Sequence, residues 1–186
     1  TTGQVAKLTT TQVGGLDTTT LGNLETTDLA ALTSTQVQAI STTTLNALGT
    51  TALQALTTSQ FAGLTTVPQV AGLTTTTLGN LETTDLAALT TSQIQQISTT
   101  GINNLGTTAL QALTSAQFAG MTTTQVGGLT TTTLDAMETR DIAALTSTQV
   151  QAISTTNLDA LGTTNLAALT TGQVAKLTTT QVGGLD

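Results

Sequence analysis

The 186-residue chain contains no cysteine and no histidine. Without cysteine there is no disulfide framework and no thiolate metal site. Without histidine there is no imidazole acid–base chemistry and no His-ligated metal. Tryptophan and tyrosine are missing too, and two phenylalanines make up the aromatic content, so a globular core anchored by aromatic rings is not expected. Proline occurs once, at Pro68. Lys7, Arg140 and Lys176 stand against ten acidic residues, for a net charge of −7. Phosphate binding needs clustered Lys and Arg, so no nucleic-acid partner is expected. No apolar run approaches the roughly 20 residues of a membrane-spanning helix, and no signal-peptide pattern is present. The residue inventory leaves no basis for an enzyme.

What is present is an eight-residue unit, clearest at Leu32-Thr33-Ser34-Thr35-Gln36-Val37-Gln38-Ala39 and followed at once by Ile40. Its first position is apolar at Leu8, Leu16, Leu24, Leu32 and Ile40, and onward through Leu145 to Leu185. A second apolar column lies three residues before each opener, at Val13, Leu21, Leu29, Val37, Leu45, Phe61, Phe118 and Val150 among others. Self-similarity this regular is the mark of a solenoid or array.

Position two is almost always a helix N-cap type, as at Thr9, Thr33, Ser41 and Thr146, where a short side-chain oxygen accepts from the first free N–H groups. Three residues later many units carry glutamine, as at Gln12, Gln36 and Gln149. Thr-x-x-Gln is the capping-box pattern. The two apolar positions then share one helical face. Each octad therefore reads as a helix of one to two turns, restarted at every cap. Isolated helices below roughly 12–15 residues are marginal, so the units must stack and share a core built from both columns. The fold expected is all-α, a solenoid of very short helices. A β-solenoid is the alternative, because Thr and Val favour strands, but an apolar spacing alternating five and three does not fit a strand period of two.

The array is expected to run through 1–186 as one segment, with an irregular nine-residue unit at 64–72 that contains Pro68 and alters one turn. A longer period of seven octads, about 56 residues, is also visible. Leu24 to Ala31 reads LETTDLAA, Leu81 to Ala88 repeats it, and Met137 to Ala144 carries Arg140 and Ile142 as substitutions. Thr1 to Asp17 and Thr170 to Asp186 are identical and lie 169 residues apart. The chain opens in mid-repeat, and a window on a longer array is the expectation.

Three carboxylate pairs recur with that period: Glu25 with Asp28, Glu82 with Asp85, and Glu138 with Asp141. One reading makes them contributors to calcium sites, since hard cations want several oxygens. The other makes them first-turn acids that favour the helix N-terminal dipole. Each pair is too sparse to form a site alone, and no Asp/Gly-rich calcium loop occurs. No other cofactor is implied. The Thr runs at Thr74 to Thr77 and Thr130 to Thr133 read as caps and first-turn fillers, or as a hydroxyl surface for carbohydrate or ice.

The Leu-Thr-Thr-x-Gln-Val-x-x frame resembles the Thr-rich octapeptide-repeat regions of very large secreted bacterial surface proteins of the adhesin or haem-utilisation/adhesion type, and does so over essentially the whole chain. That resemblance implies an extracellular or cell-surface location and a structural role as a filament, matrix fibre or adhesin stalk. The partners it implies are further copies of the repeat, with attachment to a cell surface or biofilm matrix. A haem role finds no ligands: His, Cys and Tyr are missing, and Met121 and Met137 fall on core positions.

Overall fold

The computed structural model describes residues 1–185; Asp186, the last position of the expected segment, lies outside the described residues. The fold is all-helical. Twenty-two α-helices and one short 3₁₀ helix follow one another, and no strand occurs among the described residues. The β-solenoid alternative is therefore not supported: the threonines that favoured it sit at helix starts.

Two consecutive extended residues make the corner between Ser147–Ala152 and Thr155–Asp159. Ile153 (φ −69, ψ 130) ends the helix Ser147–Ala152, and Ser154 (φ −61, ψ 151) caps the helix Thr155–Asp159. The opener leaves helical geometry while its side chain stays in the core, and the cap residue turns the chain into the next helix. Helices of four to six residues cannot persist alone. Here each is held by its caps and by burial of its apolar pair.

The chain groups into two compact units, Thr1–Ile97 and a second beginning at Ser98. Within each, a helix packs on the helix three octads further on, so three octads complete one turn of a coil. In the first unit Thr2–Val5 meets Thr26–Ala30, which meets Thr50–Gln54; Thr10–Gly14, Ser34–Gln38, Thr58–Ala62 and Thr83–Ala88 form a second column. In the second unit Thr99–Asn103, Thr123–Gly127, Ser147–Ala152 and Thr171–Val174 stack in the same way, as do Ser115–Gly120, Thr139–Ala144 and Thr163–Ala167.

The core lies inside these columns. Val13, Leu21, Leu29, Val37, Leu45, Phe61, Phe118 and Val150 are buried, as are the openers Leu32, Ile40 and Leu145. Leu8, Leu16 and Leu24, expected in the core, are only half-buried. They open the first turn that the structure describes; the openers one turn later are at most 7% exposed. Small residues let the turns close up. A Cβ on Gly14 would lie 2.9 Å from the carbonyl oxygen of Ala39, and one on Gly127 would lie 2.7 Å from that of Ala152.

The irregular unit 64–72 keeps the coil intact. Thr65 to Gln69 turn tightly onto the 3₁₀ helix Val70–Gly72, and the Val67–Pro68 peptide is cis. The extra residue is absorbed between cap and glutamine: Thr65 and Gln69 are four apart yet still pair, with the Thr65 N–H donating to Gln69 Oε1 at 3.0 Å.

Candidate functional site

The feature that recurs from turn to turn is a buried glutamine at a corner, at Gln36, Gln60, Gln69 and Gln93 in the first unit and at Gln149, Gln173 and Gln181 in the second. Gln36 shows its geometry. Its own N–H donates to Thr33 Oγ1 at 3.2 Å, and its Oε1 accepts from the Thr33 N–H at 2.6 Å. That closes a capping box. The other end of the amide is used as well: Nε2 donates to the carbonyls of Val5 at 3.1 Å and Leu8 at 2.7 Å, 31 and 28 residues back. Those carbonyls face the corner one turn earlier, where a helix end leaves acceptors without an intrahelical partner. One side chain thus satisfies the start of its own helix and the end of another. The partners also fix the amide's orientation, with a donor on one side and two acceptors on the other.

The same bonds repeat. Gln60 reaches Leu29 and Leu32 at 3.0 and 2.5 Å, and Gln93 reaches Phe61 and Leu64 at 3.0 and 2.9 Å. In the second unit Gln149 reaches Phe118 and Met121, Gln173 reaches Ile142 and Leu145, and Gln181 reaches Val150 and Ile153. Gln69 does so across the irregular unit, with both bonds at 2.9 Å to Val37 and Ile40. Thr146 caps Gln149 as Thr33 caps Gln36, and Thr9 caps Gln12 in the exposed first turn. Ser41 caps its helix through the Thr44 N–H at 3.1 Å.

At two of the slots that hold threonine, Thr77 and Thr133, two residues share the task. Thr77 Oγ1 donates to Asn46 Oδ1 at 2.8 Å while Asn46 Nδ2 donates to the Gly72 carbonyl at 2.8 Å. Thr133 and Asn103 repeat this in the second unit, with Asn103 donating to Gly128. A second, exposed row of amides points the opposite way: Gln38 donates to the Gly63 carbonyl at 2.5 Å, Gln111 to that of Ala136 at 3.1 Å, and Gln151 to that of Lys176.

Sequence reasoning assigned the glutamines to capping alone and missed the inter-turn bond. One signal was available. A capping box accepts Glu or Gln equally, yet this slot never holds Glu in the chain. Only Gln brings the second donor that the carbonyls require.

The carboxylate pairs are divided by the same slot. Asp28, Asp85 and Asp141 occupy it and are buried; Glu25, Glu82 and Glu138 sit at the N-caps and make no side-chain cap bond. Asp141 Oδ1 accepts from Ser115 Oγ at 2.7 Å and lies 3.5 Å from Arg140 Nε, which also pairs with Glu138 at 2.9 Å. No cluster of three or more acidic side chains able to hold a metal forms among the described residues. Asp17, exposed at an N-cap, has its pKa lowered below the usual 3.8 by the hydrogen bond from the Thr20 N–H.

A depression of about 60 Å³ beside Gly106, lined by Ile102, Leu110 and Thr133, is far below the roughly 300–1,000 Å³ of ligand pockets. No helix among the described residues is long and apolar enough to cross a membrane.

No curated protein matches the chain. The family model described as the ALTTAQ repeat matches residues 21–51, 102–131, 134–171 and 151–186. Its name spells out the corner seen here, with versions at Ala55 to Gln60, Ala88 to Gln93, Ala112 to Gln117 and Ala168 to Gln173: a small residue, the apolar opener, the capping threonine and the bridging glutamine. With more than half of its length matched, the chain belongs to the ALTTAQ repeat family.

Proposed function

We propose that the chain is a structural segment of an extracellular repeat protein, serving as a surface filament, matrix fibre or adhesin stalk, and that it carries out no catalysis. One observation carries this reading: buried glutamines recur at corners in successive turns, each bonded to the turn before. The side chains that enter the interior bond to backbone of the neighbouring turn, so each turn presents the acceptors that the next turn's glutamines need. Such a coil lengthens by adding turns and needs no other element. That is the property of an extension module, and it supports self-association along a fibre or continuation within a longer array. The near absence of basic side chains and the family match to a repeat fit the same role, as does the resemblance to large secreted surface proteins.

Electron microscopy of the native material, with antibody labelling of intact cells, tests the proposal. Long thin fibres or stalks outside the cell, built of stacked short helices, are the expected result. Compact dispersed particles, or label confined to the cell interior, would overturn it.

A further inference from the structure

Asp85 occupies a slot built for a side chain that donates. Gln93, one octad later, gives its amide to the carbonyls of Phe61 and Leu64. The same register moved back eight residues makes Leu53 and Leu56 the carbonyls that correspond to these for Asp85. Asp85 is 2% exposed, and its Oδ2 is buried without a hydrogen-bond partner. An ionised carboxylate there would turn an unpaired negative oxygen toward backbone acceptors, an arrangement that buried charge does not tolerate.

No cation relieves it. Between Asp28 and Asp135 the only charged residues are Glu82 and Asp85 themselves. The helix packed beneath, Thr58–Ala62, and the segment leading into it therefore face Asp85 with no titratable group. The single neighbour that titrates is Glu82, on the same helix, and it repels. The third seven-octad block differs in this respect. There Arg140 replaces the residue equivalent to Thr84, and its guanidinium lies against Asp141 and Glu138.

We infer that Asp85 is a neutral carboxylic acid in the folded coil, its O–H standing in for the amide of a bridging glutamine, so that this turn is held by a bound proton where the later block uses Arg140. Burial, and then repulsion by Glu82, push the Asp85 pKa from 3.8 up to about 6, in agreement with the geometry. Because the pKa is higher in the folded chain, the stabilisation is complete below the unfolded value near 3.8 and is lost as pH rises through about 6. A shift of about two units corresponds to up to about 100-fold in the folding constant.

The side-chain carboxyl ¹³C signal of Asp85 in the full chain, followed through a pH titration, tests this directly. A midpoint near 6, falling in Glu82→Gln but staying above 3.8, is expected. A midpoint at or below the ordinary carboxylate range overturns the inference, and this readout needs no variant at Asp85. In parallel, the folding constant of the wild type should drop between about pH 4 and about pH 6 and level off above, and that of Asp85→Asn should lack this drop. Calcium that restores the wild type at neutral pH but not Asp85→Asn would assign the slot to a cation and overturn the proton assignment.

Discussion

Replacing Gln60 by alanine should be among the costliest single substitutions of a polar side chain in the first unit. Gln60 is 2% exposed. Its Oε1 accepts from the Thr57 N–H at 2.5 Å, and its Nε2 donates to the Leu29 and Leu32 carbonyls at 3.0 and 2.5 Å. Three hydrogen bonds at about 1 kcal/mol each, with the Leu32 carbonyl left facing no donor while that of Leu29 keeps the Leu32 N–H, give a loss of about 3–4 kcal/mol. Thr57→Ala provides the control. It removes the hydroxyl that accepts from the Gln60 N–H at 3.3 Å and leaves the inter-turn bonds in place, for a loss of about 1 kcal/mol. The two variants should be compared by urea unfolding followed through the helical circular dichroism. Because the stability of a repeat array is a sum of local terms, native-state hydrogen exchange should also be read at the amides of residues 53–64. If Gln60→Ala costs no more than Thr57→Ala, the inter-turn bonds contribute nothing and the glutamine is only a cap.

Two further outcomes follow from the packing. Gly127→Ala drives a Cβ to 2.7 Å from the Ala152 carbonyl and should lower stability by about 1–3 kcal/mol; Gly79→Ala, with nothing within 4 Å of the added methyl, should instead stabilise the coil by about 0.5–1 kcal/mol, both read by thermal unfolding. Phe118, fully buried, should cost about 3–5 kcal/mol when cut to alanine, measured by the same scan, whereas a change under about 1 kcal/mol would place that ring outside the core.

The octad disclosed the helices because each carries its own start and stop. The Thr-x-x-Gln pattern sets where a helix begins, and the apolar opener, extended at residues such as Leu48 and Ile153, sets where it ends. Both signals are local, and local signals survive in a sequence. The number of octads per turn is not local. It depends on which helix lies over which, and the pattern is equally compatible with other stackings. The acidic residues show the same divide. Glu82 and Asp85 look alike along the chain, three residues apart on one short helix. Only stacking separates an exposed N-cap from a slot closed by another turn. The Leu8, Leu16 and Leu24 openers match the buried ones in pattern, yet they are only half-buried.

Three octads to a turn gives the longer periods a common measure. A block of seven octads is two turns and a third, so a residue that recurs once per block moves to the neighbouring column each time. Asp28 and Asp85 already lie on different columns of the first unit, one with Thr2–Val5 and the other with Thr10–Gly14. Three and seven have no common factor, and the first number of octads that restores both phase and column is 21. That count, with the one residue inserted near Pro68, is the 169-residue interval after which Thr1 to Asp17 recurs at Thr170 to Asp186. In any array that keeps this pitch, the sequence interval and the helical interval are commensurate. Within the first unit, no single column carries the acidic slots of both blocks.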